Sequence, residues 1–482
     1  MPKPASTAPS LLAVAALLLG TTATFADTPV APNPEDAARP TARQQILREY
    51  PHIVAAMSSS PHAGFGGPRS QAVGTRMYSR SDAAAIADVR AKLSIEEIAK
   101  GTWFIRIPYV NIVVFETSEG LVLIDSGYAA AGPALIETLH RISKKPVHTI
   151  VFTHHHADHA FGAWALLAEG QRPRIVAERS FLHELDIDLK LANYTNVRLN
   201  DQAPQDVPRS RGDVVLPTDT FSDQTALTIG GETFVLHHAR GETADQIWVH
   251  APARGIVVSA DYHQPFLPNA GNGKRRQRYL TEWAQALRAM IAASPNLVLP
   301  MHGPAIAGHA SIEDRLGAVA DALESIDQQV VAGLNAGLRR DQVVDRVSLP
   351  QPLASRPDMD TYYNRVSDVA RMSVREYSGW WDDVPSHWSP SPMAAQAREF
   401  VALSGGQERV LARLKELLPT DAAMACHLAD WAWLAAPEDR TTLEASLAAY
   451  ANRIRPGVPA QEINVYLAQL SELKRRLDAL RR

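Results

Sequence analysis

The run Thr153-His154-His155-His156-Ala157-Asp158-His159 constrains this 482-residue chain more than any other stretch. Val147 to Phe152, apolar and β-branched, predicts a strand before it, and Ala160 to Leu167 predicts a helix opening after it. His154, His156, Asp158 and His159 therefore sit on a tight turn where a strand hands over to a helix. Neutral imidazole and carboxylate are the ligands preferred by a borderline divalent ion such as Zn²⁺. In extended backbone His154 and His156 project to one side and His155 to the other. Asp158 and His159 then face a second ion position. A solvated histidine-rich loop is the plain alternative, and the His-x-His-x-Asp-His order in its strand–turn–helix setting weighs against it.

Composition narrows the partners. A chain this long exceeds one core and predicts roughly two or three domains. With 46% hydrophobic and 21% charged residues it is an ordinary globular chain. A formal charge of −4 offers nothing to a polyanion, so nucleic acid is not an expected partner. The single cysteine, Cys426, excludes an intrachain disulfide and a thiolate-rich zinc site. Lys3, the apolar stretch Leu11 to Gly20 and the small residues flanking Phe25 in Thr24-Phe25-Ala26 predict a signal peptide over residues 1–26. The expected location is periplasmic or secreted, without stable membrane insertion after cleavage.

Residues 27–95, rich in Pro, Ala, Ser and Arg, predict an irregular arm with one short helix near Arg43–Met57. Strands follow at Trp103–Tyr109, Ile112–Glu116 and Leu121–Ile124, the last ending in Asp125-Ser126-Gly127. A helix over Gly132–Ile142, a strand at Arg174–Ala177 and a helix over Ser180–Asn193 come next. Further strands are expected at Asp213–Leu216, Ala226–Ile229, Thr233–His238, Gln246–His250, Ile256–Asp261 and Leu297–Met301, with a helix over Tyr279–Ala293. Beyond His309 the pattern is wholly helical.

The histidine-rich turn after a buried strand, with Asp-Ser-Gly ending the strand before it, closely resembles the metallo-β-lactamase superfamily. That resemblance implies an α/β fold, an αββα sandwich over residues 96–310, followed by an all-α region over 311–482. It also implies further ligands at strand ends: Asp261 after Ile256-Val257-Val258-Ser259-Ala260, and His302 in Met301-His302-Gly303-Pro304. Asp125 is expected to buttress the turn by hydrogen bonds, direct coordination of a metal being the other option. Where most members place a histidine in a Pro-Gly-His-Thr-like turn, Ala239-Arg240-Gly241-Glu242-Thr243 places Glu242, with His237 and His238 just upstream as substitutes.

Glutamate in that position, with a second carboxylate nineteen residues later, resembles the alkylsulfatase branch, although that branch usually has glutamate where Asp261 stands. Val374 to Asp382, Trp388 to Pro392 and Val401 to Gly406 are similar to the alkylsulfatase dimerisation domain. Such enzymes usually continue into a sterol-carrier-like domain, and this sequence stops before one. The resemblance implies two Zn²⁺ per chain, one held by His154, His156 and Glu242, the other by Asp158, His159 and His302. Asp261 would bridge them, with a water between the ions held by Asp158 and Asp261. The implied activity is hydrolysis of sulfate esters of alkyl alcohols; a lactonase, thioesterase or β-lactamase is the alternative. The expected substrate is a small anionic ester, met by Lys274, Arg275 or Arg276, with Tyr194 and Arg198 as further candidates. A homodimer is the implied assembly, with Trp380, Trp381 and Trp388 as anchors.

Overall fold

The computed structural model describes residues 34–59, 77–201 and 206–481. The expected signal peptide and Gly64-Phe65-Gly66-Gly67-Pro68 lie outside them.

Two sheets face each other. The first has seven strands in chain order: β1 (Ser94–Ala99), β2 (Thr102–Arg106), β3 (Asn111–Glu116), β4 (Leu121–Ile124), β5 (Val147–Val151), β6 (Arg174–Glu178) and β7 (Asp219–Phe221). β1 to β4 form an antiparallel meander, and β4 to β7 run parallel. The second has six: β8 (Gln224–Ile229), β9 (Glu232–His238), β10 (Ile247–Ala251), β11 (Ile256–Ala260), β12 (Leu297–Pro300) and β13 (Ile306–Ala307). Its one parallel pair is β11 with β12, joined by the Leu280–Ala292 helix. Phe104, Phe115 and Ile124 from the first sheet and Phe234, Leu236 and Val249 from the second are buried in one apolar core between the sheets. Fully apolar strands such as Leu121-Val122-Leu123-Ile124 are what a parallel sheet covered on both faces requires.

The outer layers are helical, giving the expected αββα order. The Gly132–Ile142 helix buries Ala134, Leu135 and Leu139 against the first sheet. On the far side, Trp283, Leu287 and Met290 share a core with Leu316, Leu323 and Ile326 of the His309–Asn335 helix. That core crosses the expected boundary at residue 310, so the long helix belongs physically to the sandwich's outer layer.

Several expectations need correction. The segment expected to be an irregular arm contains two helices, Pro34–Glu49 and Pro51–Ser58, and a third at Ala83–Lys92. Ile46, Ile53 and Met57 pack with Leu443, Leu467 and Leu470, so the N-terminal helices complete the core of the last helices. The strand expected at Asp213–Leu216 is absent: Ser210 and Asp213 close a reciprocal cap there, and Pro217 follows. The strand lies two residues beyond Pro217, as β7. The helix expected over Ser180–Asn193 ends at Lys190, and Asn193–Leu199 continues as wide π-helical turns.

Candidate metal centre

Every expected ligand leaves the C-terminal end of a strand, where the backbone is free to turn its side chains toward one point. β5 leads to His154–His159, β9 to Glu242, β11 to Asp261 and β12 to His302. The two sheet ends are tied beneath that point. Ile247 N–H donates to the Thr153 carbonyl (2.9 Å), and Asn111 Nδ2 donates to the carbonyls of Pro300 (2.8 Å) and Gly303 (2.9 Å). The helix after the turn presses so close to the Asp-Ser-Gly segment that a Cβ at Gly162 would collide with the Ser126 carbonyl.

Asp125 takes the buttress position. It is fully buried, with φ of 62°, and accepts from Thr153 N–H (2.7 Å), Thr153 Oγ1 (2.7 Å) and His159 Nδ1 (2.8 Å). Thr153 Oγ1 lies 3.1 Å from His154 Nδ1, and the Tyr109 carbonyl accepts from His302 Nδ1 (2.6 Å). Three imidazoles thus use Nδ1 outward, which fixes the tautomer that leaves Nε2 for an ion. Replacing Asp125 with Ala is expected to weaken divalent-metal binding about 10–100-fold while the ligands stay in place. Competition with a chromophoric chelator measures this, and an unchanged affinity would remove Asp125 from the buttress role.

The inward atoms converge. His159 Nε2 lies 3.3 Å from Asp158 Oδ2 and 3.5 Å from Asp261 Oδ1. His302 Nε2 lies 3.1 Å from Asp261 Oδ2 and 3.5 Å from Asp158 Oδ2. His154 and His159 rings are 4.1 Å apart; His154 Nε2 is 2.9 Å from His156 Nδ1, which is 3.9 Å from Glu242 Oε1. Two triads, His154–His159–Asp261 and Asp158–His159–His302, have ligand atoms close enough to share an ion. His156 and Glu242 extend the set on the His154 side. His159 Nε2 and Asp261 Oδ1 are buried without a hydrogen-bond partner, a costly state that a cation between them relieves. The donor set of imidazole nitrogens and carboxylate oxygens therefore fits divalent metal.

Electrostatics agree. Burial, then repulsion from His159, pushes His154 down to about 3, and burial and His154 hold His156 low, so both are neutral and ready to coordinate. Burial alone would raise Asp158 and Asp261 and discharge His159 and His302, but the carboxylates and imidazoles hold one another charged, and an arriving cation would displace the two imidazolium protons. Burial holds Glu242 above the usual range despite Arg278, and an adjacent cation would ionise it. Its carboxylate is steadied by Asn269 Nδ2 (2.6 Å), Gln264 Nε2 (3.3 Å) and Arg278 Nη2 (3.2 Å). None of those three was expected from the sequence. Their one signal is that they lie on the segment between Asp261 and Tyr279 that was already suspect for its basic residues.

Five candidates fall away from the centre. His237 stacks on Trp248 at 3.9 Å, and His238 Nε2 bonds the Ala244 carbonyl (2.8 Å). Tyr194 is 59% exposed and does not line the cavity beside the ligands; Arg198 lines a neighbouring groove instead. Arg276 turns to Glu184 (2.6 Å). Lys274 and Arg275 do line the cavity. His155 points away from the ligands, with Nδ1 on Asp245 (2.9 Å) and Nε2 3.5 Å from Asp188. His155, Glu184 and Asp245 are close enough to hold an ion themselves, but His155 and Arg276 already neutralise these carboxylates.

Residues 106–302 match the metallo-beta-lactamase superfamily model, and residues 339–476 match the model for alkyl sulfatase dimerisation. The chain belongs to the metallo-beta-lactamase superfamily. Within it, the chain joins that domain to an alkyl sulfatase dimerisation domain and is homologous to the alkylsulfatases. A linear primary-alkylsulfatase of Pseudomonas sp. is 30% identical over 347 residues, covering 67% of this chain and 64% of the relative. An (R)-specific secondary-alkylsulfatase of Pseudomonas sp. is 22% identical over 63% of this chain and 51% of its own length. The chain thus spans between half and two thirds of these relatives. The solved structure of the stereoselective inverting sec-alkylsulfatase Pisa1 from Pseudomonas sp. shares the fold, with a TM-score of 0.70 at 17% identity over 91% of this chain and 77% of that one.

Proposed function

We propose that the protein is a metal-dependent hydrolase of sulfate monoesters, with two zinc ions held by the seven residues expected from the sequence. The observation that carries the reading is that buried His159 Nε2 and Asp261 Oδ1 lie 3.5 Å apart, neither making a hydrogen bond, beside a cavity walled by Arg275. When bound, divalent metal supplies Lewis acidity that polarises water and the ester oxygens. The chain's own groups do the rest. Asp158 and Asp261, held ionised, are suited to retaining cations rather than to taking protons unaided. Glu242, fixed by three donors, closes the His156 side of the site.

A sulfate monoester is anionic at every physiological pH, so it needs a cation that is not already spent. Arg278 is committed to Glu242. Burial opposes the charge on Arg275, but Asp188 and the nearby tyrosines restore it, so the guanidinium stays cationic at the cavity wall. A charge-assisted bond of about 1.5–3 kcal/mol corresponds to roughly 10–150-fold in affinity. Arg275→Ala is therefore expected to raise KM about that much while metal content holds. The primary test is sulfate release by the zinc-loaded protein, with a lactone and a β-lactam alongside. Turnover of those two without sulfate release would replace this reading with the alternative one.

The dimerisation domain supports a homodimer. Trp380 and Trp388 are 73% and 63% exposed and lie 5.4 Å apart, an apolar patch of the kind that marks interfaces. Trp381 is tucked against Val384 through its indole N–H (2.9 Å). Trp380→Ala with Trp388→Ala is expected to shift sedimentation toward monomer, and an unchanged dimer would put the interface elsewhere. The apolar stretch Leu11 to Gly20 supports export to the periplasm or beyond.

A further inference from the structure

The cavity beside the ligands opens into a second, larger space. The cavity itself holds about 170 Å³, and among the described residues lining it none is Leu, Ile or Val. The groove beyond it holds about 870 Å³, within the roughly 300–1,000 Å³ of sites that take drug-sized ligands. Asn272, Lys274 and Gln461 line both, so the two spaces are continuous. Leu199, Met372, Trp433, Val465, Tyr466 and Ala468 give the groove an apolar lining. They come from the π-helical turns and from three helices, Val366–Tyr377, Ala422–Ala435 and Ala460–Ala479.

Many of the polar groups around the groove are satisfied by one another. Trp433 Nε1 donates to Tyr450 Oη (2.9 Å), and Tyr450 Oη donates to Asp430. Arg365 and Arg453 share Glu462, the first at 2.8 Å, and Arg371 holds Asp368 at 2.9 Å. What is left unsatisfied is apolar. Val465 is 47% exposed, although Leu467 and Leu470 of the same helix are buried. Gln461, Val465 and Gln469 lie about one turn apart on one helix face, so the groove follows that helix for about 12 Å from the cavity. An extended hydrocarbon advances about 1.25 Å per carbon, so about ten carbons would lie along this face. Apolar surface removed from water is what such a chain gains from, and the groove offers it where the cavity does not.

We propose that the groove between the Ala460–Ala479 helix and the Val366–Tyr377 and Ala422–Ala435 helices holds the hydrocarbon tail of the ester, while the cavity holds only its head. This rests on the sulfatase reading of the same site. The consequence is a break in chain-length dependence: tails that stay in the cavity gain little, and longer ones gain with each carbon. A fully buried methylene is worth about fourfold, and a groove open to water on one side returns about half of that free energy, about twofold. The experiment measures kcat/KM for primary alkyl sulfates from ethyl to dodecyl on the zinc-loaded protein, below their micelle-forming concentrations. Calorimetric binding of the matching non-hydrolysable alkanesulfonates runs beside it. Both are expected to change less than about threefold from ethyl to butyl and to improve at least about tenfold from hexyl to dodecyl. Val465→Glu, on an exposed position that the helix tolerates, is expected to cut the hexyl-to-dodecyl gain below about threefold, and Val465→Leu to keep it. An even rise from ethyl onward, no rise beyond hexyl, or a full rise in Val465→Glu overturns the tail site and leaves the sulfatase reading standing. Sulfonates that bind with the expected break, without sulfate release from any ester, sustain the tail site and overturn the sulfatase reading. Failure of every sulfonate to bind overturns both.

Discussion

Asp261→Ala should release sulfate at least about 10³-fold more slowly and lose bound metal, because it removes the carboxylate that faces His159 and His302 from the second sheet. Its oxygens face His159 Nε2 at 3.5 Å and His302 Nε2 at 3.1 Å, and Asp158 Oδ2 meets the same two atoms from the other sheet at 3.3 Å and 3.5 Å. Asp261 is delivered there by a strained step: Ala260 before it has φ of 48°, in the left-handed region where a Cβ is crowded. Such strain persists only where the surroundings over-determine it, here β11 paired to β10 and β12 on either side. Several kcal/mol of transition-state stabilisation rest on a metal held in place, and each 1.36 kcal/mol is tenfold in rate. Metal content by atomic emission and sulfate release by ion chromatography read the two effects separately. A variant that keeps both full metal content and full rate would end the assignment of Asp261 to the centre.

The strand ends were readable because each signal is local. An apolar run that stops at a histidine or carboxylate announces itself within six or seven residues, so His154 to His159, Asp261 and His302 stand where the sequence puts them. Elements held by tertiary contact were not readable. β1, Ser-Ile-Glu-Glu-Ile-Ala, is a half-exposed edge strand whose charges protect it from edge pairing and hide its period. Ala83–Lys92 buries only Ala85 and Val89. Val214 and Val215 are apolar enough for a strand, yet the reciprocal cap at Ser210 and Asp213 and then Pro217 divert the chain. The strand that does form, Asp-Thr-Phe, pairs only with β6.

In the site, the same distinction decides which basic residue matters. Arg275, Arg276 and Arg278 lie within four residues, and nothing local says that one faces the cavity, one Glu184 and one Glu242. Arg43 is further still from prediction. It reaches the cavity only because its helix packs on the last helices, and its guanidinium lies 3.5 Å from Asp201, which also accepts from Ser471 Oγ (3.0 Å). Sequence periodicity reports which face of an element is buried. It does not report which distant element supplies the cover.

His155→Gln should cost about 3–5 kcal/mol at pH 7, the largest stability loss expected of a substitution beside the metal turn. His155 is 3% exposed, and Asp245, opposite it, is 1% exposed. Burial alone would discharge His155, but Asp245 and Asp188 outweigh it and raise the imidazole to about 10. Removing the cation leaves Asp245 ionised and unpaired in the interior. Asp245 also accepts the His155 backbone N–H (2.8 Å), so the shape of the turn depends on the pair. Because the folded value lies above the unfolded value of 6.5, the stabilisation is complete below about pH 6.5 and is lost as pH rises through about 10. The unmodified protein should therefore lose stability between pH 7 and 10, and His155→Gln should lack that component. His155→Gln with Asp245→Asn exchanges the broken ion pair for two neutral amides and should recover part of the loss. Urea unfolding at pH 7 and pH 9.5 measures all three. A single-variant cost under 1 kcal/mol, or equal pH slopes in variant and parent, would mean that the pair carries no buried charge.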